Sequence, residues 1–305
     1  MKILVTGATG FLGTALCARL KEQGHEFARV SSRTCDLTAA ESLNAFNNCA
    51  FEQIFHLAAW TRAGNFCLTH PGEQWIINQR INTNVLAWWR ERQPQAKLIC
   101  LGTSLAYSAE HDFVEANYLL GAPGGDHHAY AMTKRMLYVG LLALNRQFGL
   151  NYLCLVPSAI YGPGYHTDGR PMHFIFDLIR KILRGQSRNE SVVLWGDGHQ
   201  RRDLVYVDDL VRIMLELAAT RENDLINVGS GEQFTIRQYA EMICAHTGCD
   251  FNCIQFDASR DSGDRSRHLS VGKLKGIMSD LQLTPLTTGL DRTLEWFRRE
   301  CKHLL

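Results

Sequence analysis

The sequence predicts a doubly wound α/β fold, in which helices cover both faces of a parallel sheet and a smaller, discontinuous α/β domain is attached. Three observations predict it. Apolar segments of strand length alternate with helical patterns through the first half of the 305 residues. Three glycines separate the first strand from the first helix. After Pro157, Gly and Pro crowd into a short loop, which indicates that the chain leaves the sheet there.

The first half of the chain supplies the elements of this sheet in order. An apolar strand, Lys2–Thr6, precedes a helix, Phe11–Gln23, which Gly24 ends. The predicted elements that follow are strand Phe27–Ser31, helix Ala39–Asn47, strand Gln53–Ala58, helix Trp75–Arg92, strand Lys97–Gly102, helix Tyr130–Phe148 and strand Tyr152–Pro157. This alternation is typical of the dinucleotide-binding order.

In the second half, the chain first leaves the main sheet, and some of the later elements return to it. Its predicted elements are helix Phe174–Arg184, strands Val192–Trp195 and Asp203–Tyr206, helix Asp208–Thr220, strand Ile226–Gly229 and the capped amphipathic helix Thr235–Thr247. We therefore predict a dinucleotide-binding domain from residues 1–161 plus about 199–228. The substrate domain is predicted from about 162–198 plus 229–305.

Composition excludes several classes of function. Hydrophobic residues make up 46% and charged residues 21%, which is typical of a compact globular protein. A net charge of +1 offers no broad basic field for nucleic acid. No apolar run approaches the roughly 20 residues of a membrane-spanning helix, and no leader pattern precedes the first strand. We expect a cytoplasmic protein that binds neither nucleic acid nor membrane.

The ten cysteines include no Cys-x-x-Cys pair, which favours reduced thiols over a disulfide framework. One cluster, Cys244, His246, Cys249 and Cys253, offers metal-ligand chemistry. Its spacing matches no common zinc pattern, and part of it falls on a helix. We predict no metal site.

The glycines predict a cofactor site. Gly7, Gly10 and Gly13 lie between a strand and a helix, where missing side chains let the backbone approach a pyrophosphate. A tight turn without a ligand is the alternative. The second strand ends without the acidic residue that would hold a ribose 2′-hydroxyl. It offers Arg29, Ser31, Ser32 and Arg33 instead, and a guanidinium there pairs with a 2′-phosphate.

NADP(H) is therefore the predicted cofactor, although these arginines could also be solvated surface. Asp36 and Leu37 follow at a position suited to the adenine edge. The choice of NADP over NAD depends on the arginines alone.

Tyr130 and Lys134 lie one helical turn apart, so both side chains emerge on one face. We expect the ammonium to lower the pKa of the phenol, which then acts as acid or base. Thr103 and Ser104 end a strand at the carboxyl edge of the sheet, and Thr103 is predicted to hydrogen-bond the reacting oxygen. The alternatives are a simple ion-pairing helix face for the first pair and a helix cap for the second.

The three glycines with Thr103, Tyr130 and Lys134, in this order and spacing, resemble the extended short-chain dehydrogenase/reductase family. His56 to Ala59, Asn78, Asn84 and Pro157 to Gly164 agree with it. The resemblance implies a cofactor site lined by Gly7, Thr9, Gly10, Phe11, Leu12, Gly13, Ser32, Arg33, Asp36, Leu37, Leu57, Ala58, Ala59, Asn78, Tyr130, Lys134, Pro157 and Ile160.

Three further stretches resemble the nucleotide-sugar branch of that family: Tyr161–Gly164, Trp195–Gly198 and Arg202–Asp209. The resemblance implies that Arg202 holds the diphosphate, with Arg201 as a near alternative, and that Arg267 adds a second contact or is a solvated charge. The implied substrate residues are Thr103, Ser104, Leu105, Tyr130, Trp195, Arg202 and Arg267.

Within the branch the chain is most similar to the GDP-fucose synthase family, which epimerises a 4-keto sugar before reducing it. Leu105 replaces that family's epimerising cysteine, and leucine cannot move protons. The partner histidine falls near Asp168, with His166 or His173 as alternatives, and Ala159 replaces an asparagine. Ser104 and Leu105 also stand where sugar dehydratases carry an Asp-Glu pair, which argues against dehydration.

The resemblance therefore implies NADPH-dependent reduction of a 4-keto nucleotide sugar, similar to a GDP-4-keto-6-deoxy-hexose, without 3,5-epimerisation. A nucleotide-sugar 4-epimerase is the alternative, since it would use the same residues. A non-catalytic NADP-binding regulator is a second alternative, which the retained Thr103, Tyr130 and Lys134 disfavour.

The two long helices carry apolar residues on several sides, including Trp88, Trp89, Leu137 and Leu141. In relatives the matching helices form a dimer interface, so the resemblance implies a homodimer. Burial of these side chains under the second domain is the alternative.

Overall fold

A computed structural model of the chain describes residues 1–260 and 265–305. The strands are β1 Lys2–Thr6, β2 Glu26–Val30, β3 Gln53–His56, β4 Lys97–Leu101, β5 Tyr152–Pro157, β6 Ala159–Tyr161, β7 Val192–Trp195, β8 Arg201–Arg202, β9 Leu204–Tyr206, β10 Asp224–Val228, β11 Phe234–Thr235 and β12 Ile254–Asp257. The helices are α1 Phe11–Glu22, α2 Phe66–Thr69, α3 Pro71–Arg92, α4 His128–Phe148, α5 Phe174–Arg188, α6 Val207–Thr220, α7 Ile236–Thr247, α8 Gly272–Ile277 and α9 Leu286–Glu300. The predicted α/β fold is confirmed.

The main sheet has six strands in the order β10-β5-β4-β3-β1-β2, and every neighbouring pair is parallel. The chain passes from β1 to β2 on one side and then returns to β3 on the other. In open parallel sheets, ligands bind beyond the carboxyl ends of the strands at such a reversal. The crevice next to the end of β1 is therefore the position that the topology offers to a ligand.

The sheet is buried on both faces, which explains its nearly continuous apolar strands. Ile3, Leu4 and Val5 of β1 are fully buried, and all four residues of β3 are buried. Helix α1 turns Leu16 and Leu20 into the core with no exposed surface. These two residues lie four positions apart, so they share one face of the helix.

Helices α3 and α4 pack against each other. A Cβ at Gly140 of α4 would stand 2.7 Å from Leu86 Cδ1, so glycine permits the close approach. The four side chains named for a dimer interface, Trp88, Trp89, Leu137 and Leu141, are all 5% exposed or less. They belong to the core of the protein and are not available to a partner.

One predicted helix is wrong. Residues 39–47 form turns and a short 3-10 helix, Asn44–Phe46, in place of an α-helix. The polar groups of the segment bond to α3 and the residue after it: Trp88 Nε1 donates to Asn47 Oδ1 at 2.8 Å, and Gln93 Nε2 donates to the Phe46 carbonyl at 3.2 Å. These tertiary hydrogen bonds replace the helical ones.

The chain divides into two compact units, residues 1–157 with 210–228 and residues 158–209 with 229–305. This division differs from the predicted domains at residues 158–161 and 199–209. The reason is that β6 pairs with β9 in a separate parallel sheet and not with the main sheet.

The second unit also contains the pairs β7–β12, which is parallel, and β8–β11, which is antiparallel. Its core includes Phe176 of α5 and Phe297 of α9, both fully buried. Gly289 of α9 packs on Tyr161, because a Cβ there would stand 2.2 Å from the Tyr161 hydroxyl. Across the described residues of both units, no helix is long and apolar enough to cross a membrane.

Candidate active site

The glycine loop (residues 7–13) comprises the turn after β1 and the first three residues of α1, in the first unit. Gly7 has a φ of +68°, which glycine adopts without strain, and a Cβ there would lie 2.8 Å from the Ala58 amide nitrogen. Gly13 lies so close to the loop that a Cβ would stand 2.1 Å from the Gly7 carbonyl oxygen. Gly10 is the N-cap of α1 and makes no side-chain capping bond.

Thr9 and Gly10 are exposed, Phe11 is half-buried and Leu12 is buried. The loop therefore presents an uncapped helix N-terminus with little side-chain bulk in front of it. Such a terminus attracts an anion, because its amide groups and the helix dipole both favour negative charge. The residues fit the pyrophosphate of a dinucleotide.

The segment after β2 carries the predicted 2′-phosphate residues. Ser31 is buried and its amide donates to Thr34 Oγ1 at 3.1 Å, which fixes a turn that leaves Ser32 and Arg33 exposed. Asp36 is exposed, and its carboxylate accepts two hydrogen bonds from Thr38, which lower the pKa of Asp36. The turn thus offers an unshielded guanidinium to a phosphate.

Two asparagines, the buried Asn78 and the half-buried Asn84, shape the rest of this edge. Asn78 accepts from the Trp60 amide at 2.9 Å and donates to the Trp60 carbonyl at 3.0 Å, so it holds the loop that contains Leu57, Ala58 and Ala59. Asn84 donates to the carbonyl of the buried Leu37 at 2.9 Å. The amide of Asn78 is engaged with the backbone and supports the cofactor site through that loop.

Thr103 follows β4 and caps the 3-10 helix Ser104–Ala106. Its Oγ1 accepts a hydrogen bond from the Leu105 amide at 3.3 Å, and its own amide donates to the Tyr118 hydroxyl at 3.3 Å. The capping role that was the alternative for Thr103 is thus present in the structure. Because the hydroxyl oxygen accepts from Leu105, its proton remains available for a hydrogen bond to another oxygen.

Tyr130 and Lys134 lie on α4, Tyr130 half-buried and Lys134 only 5% exposed. The expected lowering of the phenol pKa is wrong for this structure: burial raises the pKa of Tyr130, and Cys67 acts in the same direction. Burial also lowers the pKa of Lys134. Desolvation disfavours the charged phenolate, so the Tyr130 phenol stays protonated at neutral pH.

The charge of Lys134 acts instead on groups beneath α4. Burial lowers the pKa of His56 to about 4, and Lys134 adds to the effect. The neutral imidazole bonds through Nδ1 to Thr6 Oγ1 at 2.9 Å and through Nε2 to Asn82 Oδ1 at 3.2 Å. Asn82 in turn donates to the Thr133 carbonyl at 3.4 Å. This buried network ties β1, β3 and α3 to α4.

Sequence reasoning missed Asn82, Tyr118 and Arg135 as supports of this site. No local pattern distinguishes them, because their partners lie far along the chain. Arg135 directly follows Lys134, and that adjacency is the one signal that could have drawn attention to it.

The predicted diphosphate residues lie in the second unit. Arg202 is half-buried in β8, and its Nη1 donates to the Arg201 carbonyl at 2.8 Å. The Arg201 amide donates to the Arg265 carbonyl at 2.8 Å, and Arg201 also forms a bridge with Ser266. The structure therefore brings the backbone of Arg267 next to the strand of Arg202.

Trp195, at the end of β7, is the most exposed large hydrophobic side chain of the described residues, at 54%. The Lys181 ammonium lies 5.6 Å from its ring centroid, and the Arg260 guanidinium carbon lies 5.2 Å away. Lys181 also pairs with Asp177 and Arg260 with Asp257, so both cations are held beside the ring.

The remaining predicted residues divide between the two units. Pro157 ends β5 in the first unit, whereas Ile160 lies in β6 of the second. In the loop after β6, His166 Nδ1 lies 3.3 Å from Asp168 Oδ1, and Asp168 also pairs with Arg170. These groups are already paired with one another.

The cysteines are all free thiols. Within residues 1–260 and 265–305, no group of three or more His, Cys, Asp or Glu side chains is arranged to hold a metal ion. This includes the cluster around Cys244.

The parallel sheet with its reversal, the glycine loop and the Tyr130–Lys134 pair define a dinucleotide-binding protein of the doubly wound α/β class. The model of the NAD dependent epimerase/dehydratase family matches residues 3–229. The chain belongs to that family.

Relatives match over nearly the whole chain. A GDP-L-fucose synthase of Dictyostelium discoideum is 29% identical over 308 residues, which cover 97% of this chain and 94% of the relative. A dTDP-4-dehydro-6-deoxy-D-allose reductase of a Streptomyces species is 30% identical and covers 97% and 96%. A crystal structure of a GDP-L-fucose synthetase from Naegleria fowleri bound to NADP has the same fold, with a TM-score of 0.86, 23% identity and coverage of 99% and 95%.

Proposed function

We propose that this protein is an NADP(H)-dependent reductase of a 4-keto nucleotide sugar, similar to a GDP-4-keto-6-deoxy-hexose. The observation that carries the proposal is the Tyr130–Lys134 pair on α4, a helix that contacts the segment capped by Thr103, while Thr103 and the glycine loop both follow strands at the carboxyl edge of the sheet. Relatives named as GDP-sugar synthases and as a dTDP-keto-sugar reductase support the substrate class.

The chemistry assigned to the chain is proton transfer and positioning. NADPH, when bound, supplies the hydride that reduces the carbonyl carbon. Tyr130 donates its phenolic proton to the carbonyl oxygen, and Thr103 donates a hydrogen bond to the same oxygen. Lys134 stabilises the phenolate that remains. A raised phenol pKa suits this direction, because a reduction needs a proton donor that is still protonated at neutral pH.

The glycine loop, the exposed Arg33 and the turn that fixes Ser31 support NADP(H) over NAD(H). Arg33→Ala should raise KM for NADPH by about tenfold or more and leave KM for NADH unchanged, because only NADPH carries the 2′-phosphate. Equal effects on both cofactors would contradict this assignment.

The central experiment follows NADPH absorbance as purified protein meets GDP-4-keto-6-deoxy-mannose or a dTDP-4-keto-6-deoxy sugar. Stoichiometric loss of NADPH is expected, and Tyr130→Phe should abolish it. A protein that interconverts 4-hydroxyl epimers with no net change in NADPH is the 4-epimerase instead. No turnover with any keto sugar, in a protein that still binds NADPH, would leave only the non-catalytic regulator.

Reduction without 3,5-epimerisation depends on Leu105, which is half-buried directly after Ser104. A product made in D₂O should carry no deuterium at C3 or C5, because leucine exchanges no proton. Mass spectrometry of the product measures this. Deuterium at either carbon would show that another residue performs the epimerisation.

A second copy of the chain is the proposed partner. The side chains suited to it are exposed apolar groups of the first unit: Trp75 and Ile76 on α3, and Met136, Val139 and Leu142 on α4. The three on α4 recur every three residues and form one face. Sedimentation should give a dimer, and Val139→Glu should give a monomer. A monomeric wild type would overturn this.

The first unit is proposed to bind the cofactor and the second the nucleotide sugar. Isolated NADPH and GDP provide the test, because variants of Gly10 and Arg202 should each weaken only one of the two ligands. A cytoplasmic location is proposed from the ten free thiols.

A further inference from the structure

Arg135 is a buried cation on α4, directly after Lys134. Its side chain is only 5% exposed, and burial lowers its pKa. The guanidinium donates to four backbone carbonyls: Nε to Ala106 at 2.8 Å, Nη2 to Leu120 at 2.8 Å, and Nη1 to Gly121 at 2.6 Å and Leu119 at 3.5 Å. A buried charge is tolerated only when it is well hydrogen-bonded. These contacts therefore hold both the guanidinium and the four carbonyl groups in place.

The carbonyls belong to two segments that border Thr103. Ala106 ends the 3-10 helix that Thr103 caps. Residues 119–121 directly follow Tyr118, whose hydroxyl accepts the Thr103 amide at 3.3 Å. A Cβ at Gly102 would stand 2.6 Å from that hydroxyl, so Tyr118 is packed against the backbone just before Thr103.

We propose that Arg135 is a positioning residue that fixes Thr103 relative to Tyr130 and Lys134. The inference rests on the proposed function, since it assigns a role in the same reaction. Arg135 donates hydrogen bonds to Ala106, in the segment after Thr103. It also donates to residues 119–121, which directly follow Tyr118. Because Arg135 belongs to the helix of Tyr130, these bonds set the spacing between the two hydroxyls that share the reacting oxygen.

Lysine cannot reproduce this arrangement. A guanidinium donates in several directions from a rigid plane, whereas an ammonium donates from one atom. Arg135→Lys keeps the charge and loses most of the four bonds. Tyr118→Phe removes only the acceptor for the Thr103 amide and keeps the ring.

Five proteins test the proposal: wild type, Arg135→Lys, Tyr118→Phe, the double variant of these two, and the control Arg146→Lys, which changes an exposed arginine of the same helix. The kcat per NADPH-binding site should fall about ten- to hundredfold in Arg135→Lys and less in Tyr118→Phe, because small misplacements of reacting groups are costly. The Kd for NADPH should change by less than about twofold, since the glycine loop is untouched. The control should match wild type.

A purely structural role would lower the fraction of folded enzyme but leave kcat per binding site unchanged. The double variant should be no slower than Arg135→Lys alone, because both changes disturb one arrangement. The proposal would be overturned if Arg135→Lys had the same kcat per binding site as wild type. It would also be overturned if the fold-loss of kcat in the double variant equalled the product of the losses in the two single variants.

Hydrogen exchange separates this inference from the proposed function. If wild type reduces no keto sugar, the proposed function fails, and amide exchange of residues 103–106 then decides the positioning role. Faster exchange there in Arg135→Lys, with unchanged exchange in α1, supports it. Unchanged exchange at 103–106 refutes it.

Discussion

Two glycines of the glycine loop should respond in opposite ways to substitution. Gly13→Ala adds one methyl group inside α1, where helix propensity alone would favour alanine by about 1 kcal/mol. The new Cβ would stand 2.1 Å from the Gly7 carbonyl oxygen and 2.9 Å from Ala8 Cα. Both are backbone atoms that cannot rotate away, so we expect a net loss of about 1–3 kcal/mol in the free energy of unfolding.

Gly10→Ser is the matched variant. Gly10 has a φ of −74°, which serine adopts freely. A Cβ at this position would lie 3.3 Å from its nearest neighbour, the Gly7 carbonyl oxygen. Serine is also a good N-cap and would supply the capping bond that α1 lacks. The stability should therefore stay the same or rise. The added side chain lies at the anion-binding end of the helix, so NADPH affinity should fall about tenfold or more.

Thermal denaturation without cofactor and NADPH fluorescence titration measure the two effects separately. Gly13→Ala should lower Tm by several degrees, and Gly10→Ser should weaken binding without lowering Tm. A Tm for Gly13→Ala at or above that of wild type would refute the packing contact. Wild-type NADPH affinity in Gly10→Ser would refute the cofactor role of the loop.

Three further predictions concern titration and the buried network. Because burial raises the pKa of Tyr130, kcat for reduction should stay flat from pH 6 to about 9, and a fall in kcat with an apparent pKa inside this range would contradict the phenol as donor. Burial raises the pKa of Asp203 to about 7, so the folded protein binds its proton more tightly than the unfolded chain does, and stability is lost as pH rises from about 4 through 7. Asp203→Asn should therefore reduce the fall in Tm between pH 5.5 and 8.5, whereas the exposed control Asp280→Asn should not. Equal slopes of Tm against pH in wild type and both variants would contradict the prediction. His56→Ala should lower the free energy of unfolding by about 2–4 kcal/mol, because it removes the partner of the Asn82 Oδ1 atom and one of the two partners of the Thr6 hydroxyl in the core, and urea unfolding that matches wild type would exclude that network.

The sequence alone determined the fold class, the glycine loop and the spacing of Tyr130 and Lys134. These are local features: strand and helix patterns repeat every few residues, and two side chains one turn apart share a face in any helix. The sequence also located Thr103, because the carboxyl end of a parallel strand lies at the ligand edge of its sheet.

The tertiary structure alone decided the properties that depend on burial and on distant partners. The pKa of Tyr130 rises because the phenol is desolvated, and no sequence pattern records that desolvation. Residues 39–47 do not form the predicted helix, because their polar groups hydrogen-bond to residues more than forty positions away. Arg135 likewise looks like an ordinary helix residue until the folded chain brings four carbonyl groups around it.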